Sequence, residues 1–171
     1  MPIGYGYAMN HSTHEDLPRE SERGQSMVEF SLTLVMLLVI LSGVLDLGRG
    51  FFSYIAIQNA AGEGALYAAI NPRCPHASSA ATCTNPNNVD YRAKFESPSG
   101  GMVSPDLMTV SVVYADGTDQ YSEESTTEGN PITVQVQYRF RMVGPFSPIL
   151  PDGELVFTAT AVQNILDLRK N

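Results

Sequence analysis

Glu29 is the one ionisable side chain in residues 27–45, and from residue 30 to 45 the chain has no proline and one glycine, Gly43. An uncharged run of this length approaches the ~20 residues a helix needs to cross a hydrocarbon core. An ionised carboxylate within such a run costs about 2.5–3.5 kcal/mol, so it needs water or a partner. Two readings follow. Glu29 reaches water at the membrane edge, in the first helical turns where the macrodipole favours an anion, or it waits for a cation from another molecule. Position bears on the choice: Gly24 precedes Gln25, and a cut between them makes Glu29 the fifth residue, with Phe30 after it.

Other chemistry-bearing groups are sparse. Cys74 and Cys83 are the two cysteines, and His76 is the only histidine outside the first 24 residues. Too few ligands surround them for a four-coordinate zinc site. In an exported chain the expected state is a disulfide. Residues 115–130 carry Asp116, Asp119, Glu123, Glu124 and Glu128 with no basic residue. Carboxylates on a loop suit calcium, but the spacing departs from the EF-hand pattern, and a solvated acidic loop is the competing reading. Metal ligands and cofactors are therefore not assigned. His11 and His14 lie in the polar leader and are given no role. No nucleophile–base pair, phosphate loop or His-Glu-x-x-His pattern is present in the sequence, so no catalytic residue is assigned and the chain is read as no enzyme. A net charge of −8 over 171 residues, with basic residues scattered, excludes a nucleic-acid partner.

These groups must be positioned by an anchor and one modest domain. Residues 1–24 are polar and glycine-punctuated and read as a disordered leader; no apolar block precedes Gly24, which excludes an ordinary secretory signal. Met9 is an alternative start. A helix is expected over 25–70, membrane-spanning at first and amphipathic beyond. Asp46 pairs with Arg49, and an apolar face comprises Phe51, Tyr54, Ile55, Ala61, Ala65 and Ala68, to be buried by the C-terminal domain or by neighbouring subunits. Gly62 and Gly64 weaken the helix and suggest close packing. Pro72 ends it.

Residues 71–101 turn rich in Pro, Ser, Thr, Asn and Ala, a surface segment with a short helix at 89–96. Strands are predicted at 107–114, 132–142 and 155–164. The second alternates cleanly, with Ile132, Val134, Val136, Tyr138, Phe140 and Met142 on one face. The connection 144–153, with Pro145, Pro148 and Pro151, is read as irregular. The fold class is α+β, with domains 1–24, 25–70 and 71–171: a long N-terminal helix packed on a small antiparallel β-sheet, pilin-like in outline.

Arg23-Gly24-Gln25-Ser26-Met27-Val28-Glu29-Phe30 resembles the start of type IV prepilins. More closely it is similar to the TadE-like family of pseudopilins from the tight-adherence, Flp-type pilus system. The resemblance continues in Asp46-Leu47-Gly48-Arg49 and Asn59-Ala60-Ala61-Gly62-Glu63-Gly64-Ala65-Leu66-Tyr67-Ala68-Ala69, and covers residues 23–70. Gly62 and Leu66 stand where family members often carry Arg, so a basic helix face is not carried over. The resemblance implies a minor pilin cut after Gly24 by an aspartic prepilin peptidase, whose other partners are pilins, pseudopilins and tight-adherence assembly proteins. It also implies a single-pass inner-membrane protein with an extracytoplasmic C-terminus, or an extracellular pilus component after assembly. The positive-inside count is a draw between Arg19 and Arg23 on one side and Arg49 and Arg73 on the other. The alternative is an uncleaved single-pass anchor carrying an extracytoplasmic ligand-binding domain.

Overall fold

The computed structural model describes residue 3, residues 20–95 (20–23 by backbone alone) and residues 103–166. Most of the 1–24 leader and Glu96, the last residue of the predicted short helix, lie outside these. The chain divides into two compact units, residues 1–38 and 39–171.

One helix, α1 (Glu20–Ile70), supplies the described helical part of the first unit and the first element of the second. It begins ahead of the expected position, so the Gly24–Gln25 bond lies within helical backbone. Its most apolar window has a mean hydropathy of 2.4 and none of it is buried. A helix of this length and hydropathy fits a single-pass membrane anchor. In the first unit the polar groups are satisfied locally: Ser31 Oγ donates to the Met27 carbonyl at 2.8 Å and Thr33 Oγ1 to the Glu29 carbonyl at 2.9 Å. Hydroxyls folded back on the preceding turn are compatible with an apolar medium.

In the second unit, a three-stranded antiparallel meander has the order β1 (Met108–Val113), β2 (Pro131–Arg141), β3 (Glu154–Asn164). All three lie within a residue or two of the predicted segments. The registers Val110↔Val136 and Val136↔Ala159 align alternating apolar residues into one face. Ile132, Val134, Val136, Tyr138 and Phe140 are all buried there, with Met108, Val110, Val112 and Ala159 beside them. The sheet is covered by residues 53–69 of α1 and by α2 (Val89–Phe95).

The buried stripe of α1 is Ser53, Ala56, Ile57, Ala60, Ala61, Ala65, Ala68 and Ala69. Ala61, Ala65 and Ala68 are where the sequence puts them, but Phe51, Tyr54 and Ile55 are exposed at 61%, 44% and 41%. This corrects the predicted face. The β-strands supply the bulk of the core through branched and aromatic side chains, and only a row of small residues lets the helix axis come close enough to fill the space without voids. Gly64 marks the tightest approach: a Cβ there would lie 3.1 Å from Val134 Cγ1 and 3.2 Å from Ala93 Cβ. Gly62 faces open space, so the close-packing reading holds for one glycine of the two.

The segment after α1 is tied down by few but specific bonds. Cys74 and Cys83 form a disulfide, whose short loop restricts the unfolded chain by about 2.5–3 kcal/mol on the entropy model. Buried Asn88 caps α2: its Oδ1 accepts from the Tyr91 amide at 2.8 Å, and its Nδ2 donates to the Cys83 carbonyl at 3.1 Å. Leu166 donates its amide to the Ala69 carbonyl at 3.0 Å, satisfying one of the orphan carbonyls at the helix end.

Tyr114, just past β1, donates its hydroxyl to the Pro72 carbonyl at 2.7 Å. Burial, and secondarily the neighbouring Tyr121 and Asp116, push its pKa up from the usual 10.0 to about 12. A phenol held neutral in the fold but ionising near its ordinary value when unfolded keeps its full stabilising effect below pH 10 and loses it as pH rises through about 12. Chemical denaturation at pH 8 and pH 11 is expected to show a stability loss that Tyr114→Phe removes. Tyr114→Phe itself costs about 1 kcal/mol at neutral pH, the worth of one hydrogen bond.

Candidate functional site: the N-terminal motif and the end of the apolar run

The motif residues Gly24, Gln25, Glu29 and Phe30 lie on the exposed surface of α1. Gln25 Nε2 donates to Glu29 Oε1 at 3.0 Å, one turn apart. The carboxylate therefore has a neutral hydrogen-bond donor within its own chain and, among the described residues, no cation paired with it. Phe30 is 65% exposed, and the apolar side chains that follow it are open as well. This is a surface built for contact with lipid or other helices.

A second constellation sits where the apolar run ends, within the second unit. Asp46 is 4% exposed, and its Oδ2 accepts the Gly144 amide at 2.6 Å while its Oδ1 pairs with Arg49 at 3.2 Å. Arg49 in turn lies 5.5 Å over the Phe140 ring. The Asp46–Arg49 pair agrees with the sequence reading; the bond to Gly144 was not legible, because nothing local links a helix to a loop 98 residues away. A Cβ on Gly144 would fall 2.6 Å from Asp46 Oδ2 and 2.8 Å from Ser42 Oγ, and one on Gly43 would fall 2.9 Å from Phe146. The charge ending the apolar run and a lone glycine before it were the available signals. Asp46→Ala is expected to destabilise the domain by about 2 kcal/mol, as loss of a charged acceptor facing a part-buried amide does. Asp46→Asn, which keeps an acceptor oxygen, should recover part of that, and the Gly144 amide should exchange faster in the alanine variant alone.

The remaining candidates are spread apart. His76 is exposed, its amide donating to Ser79 Oγ at 3.2 Å. In the acidic loop, Asp116 accepts from the Thr118 amide and hydroxyl at 3.0 and 2.8 Å, which lowers its pKa. Glu123 lies 3.6 Å from Arg73. Among the described residues no three His, Cys, Asp or Glu side chains converge as metal ligands. An open groove of about 650 Å³, bordered by Arg73, Tyr121, Glu123, Thr126 and Glu128, carries mixed charge.

The geometry is thus an exposed apolar helix with one carboxylate near its start, attached to a small sheet domain. Comparison with known protein families finds a likeness over one segment. Residues 24–66 match the family of TadE-like proteins. The match begins on Gly24 and takes in Glu29, Asp46 and Gly64; residues 67–171 lie outside it. No curated protein and no solved structure matches.

Proposed function

We propose that this TadE-like chain is a minor pilin of a tight-adherence pilus, a substrate of a prepilin peptidase and not itself an enzyme. Cleavage after Gly24 releases the leader and makes Gln25 the amino terminus. The observation that carries this reading is the placement of Glu29: a carboxylate exposed on an apolar helix, five residues into the proposed mature chain, bonded among the described residues to a neutral amide. In hydrocarbon, an ammonium group offsets the cost of that charge far better than an amide does. The new amine of an incoming subunit supplies it and sets the axial stagger between neighbours.

The exposed side of α1 supports the same reading. Phe51, Phe52 and Ile55 stay open although the sheet already covers the helix, which leaves an apolar face for other subunits. The C-terminal domain then faces away from the cytoplasm.

Intact mass of the membrane-extracted protein tests the proposal against an uncleaved anchor: 147 residues beginning at Gln25 if processed, 171 if not. Glu29→Ala is expected to be processed like the parent yet to reach sheared filaments or membrane pilin complexes at a tenth of its level or less, since about 1.4 kcal/mol per contact already gives a tenfold loss. Normal incorporation of Glu29→Ala would refute the register role.

A further inference from the structure

The β2–β3 connection, residues 142–153, carries exposed apolar side chains. Val143 is 75% exposed, Ile149 76% and Phe146 37%. Exposed valine or isoleucine is ordinary when scattered; here the residues occur together on one loop whose only charge is Asp152. The loop is also preformed. Pro145, Pro148 and Pro151 restrict it, and it holds two short 3-10 turns, Ser147–Ile149 and Pro151–Gly153. Little order remains to be lost on binding.

Its position says what it meets. Gly144 is bonded to Asp46, and the Phe146 ring lies against Gly43, so the loop sits beside the last turns of the uncharged run that ends at Leu45. On that helix Ile40, Leu41, Val44 and Leu45 are each more than half exposed. The apolar loop and the apolar helix end form one continuous surface. Arg49, paired with Asp46, and Arg141, paired with Glu154 at 2.9 Å, stand next to these segments in the chain with 53% and 73% of their side chains exposed. Apolar side chains rimmed by arginine match the interfacial zone of a bilayer, where headgroup phosphates lie just above the acyl chains.

We propose that the 142–153 loop is a second membrane contact: it seats Val143, Phe146 and Ile149 in the lipid interface, so that the domain is held against the bilayer at two points. The inference rests on α1 being the membrane anchor. It gives the Asp46–Gly144 bond a further consequence, since that bond holds the loop at the depth where the apolar run ends.

The chain has no tryptophan, so one introduced indole reports on one site. Full-length Ile149→Trp, Leu37→Trp and Val162→Trp proteins would be reconstituted in phosphatidylcholine vesicles carrying lipids brominated at shallow or deep acyl positions. Val162 is exposed on the opposite face of the sheet from the core and serves as the aqueous control. The expected result is several-fold stronger quenching of Ile149→Trp than of Val162→Trp, greatest with shallow bromines, while Leu37→Trp responds best to deep ones. If Leu37→Trp is quenched but Ile149→Trp is as open to acrylamide as Val162→Trp, the loop proposal falls and the anchor stands. If Leu37→Trp is not quenched either, both fall.

Discussion

Gly24→Lys is expected to leave the chain at its full 171 residues, where the parent is expected to yield the 147-residue product. The expected loss of processing is complete within detection, read by intact mass or by the first residue released in N-terminal sequencing. The argument has two parts. A peptidase that cuts beside glycine can close on the backbone, and a lysine side chain at that position fills the space and brings a charge into it. The second part concerns the helix. The Gly24–Gln25 bond lies inside α1, and no peptide bond can enter an extended active-site cleft while it is helical. Glycine makes unwinding easier by about 1 kcal/mol relative to alanine, and it lies within the first turns, where helices fray most readily. Lysine is a good helix former and removes that weakness. Gly24→Ala separates the two effects: with little bulk but a firmer helix, it should be cut more slowly than the parent and still be cut. Equal rates for the parent and Gly24→Lys would end the processing proposal.

Gly64→Leu is expected to destabilise the C-terminal domain by about 3 kcal/mol, the upper part of the usual cost of overfilling a core. Even a Cβ at this position comes within 3.2 Å of both Val134 and Ala93, and Val134 is fully buried in the central strand. A leucine would have to push α1 off β2, opening the contacts of Ala60, Ala61 and Ala65 along with it. Its better helix propensity returns only about 1 kcal/mol. Gly62→Ala is the matched contrast. It meets nothing within 4 Å, so the same propensity gain appears unopposed, as stabilisation by up to about 1 kcal/mol. Thermal melts of the full chain in mild detergent, followed by the near-ultraviolet dichroism of the tyrosines, would read both. Opposite signs for two glycines two residues apart are what the packing demands; a Gly64→Leu protein melting with the parent would mean that the helix does not lie on the sheet as described.

The two glycines look alike in the sequence, and this shows where sequence reasoning runs out. Strand positions were legible because alternation has a period of two: Ile132, Val134, Val136, Tyr138 and Phe140 declare a buried face without reference to anything else. The membrane-capable run was legible because absence of charge is a local property, and the Gly24–Glu29 motif because its spacing is. The disulfide followed from having just two cysteines near each other in a chain read as exported.

Tertiary structure alone decided which side of α1 is buried. By hydrophobicity Phe51, Tyr54 and Ile55 outrank a row of alanines, yet the alanines face the sheet, because the strands already carry the bulky side chains and the remaining gap admits only small ones. It alone decided, too, that Asp46 receives the Gly144 amide, a pairing across 98 positions that no periodicity encodes. Local pattern determines what each segment of this chain can become; distances between segments, which only folding creates, determine which surfaces remain exposed.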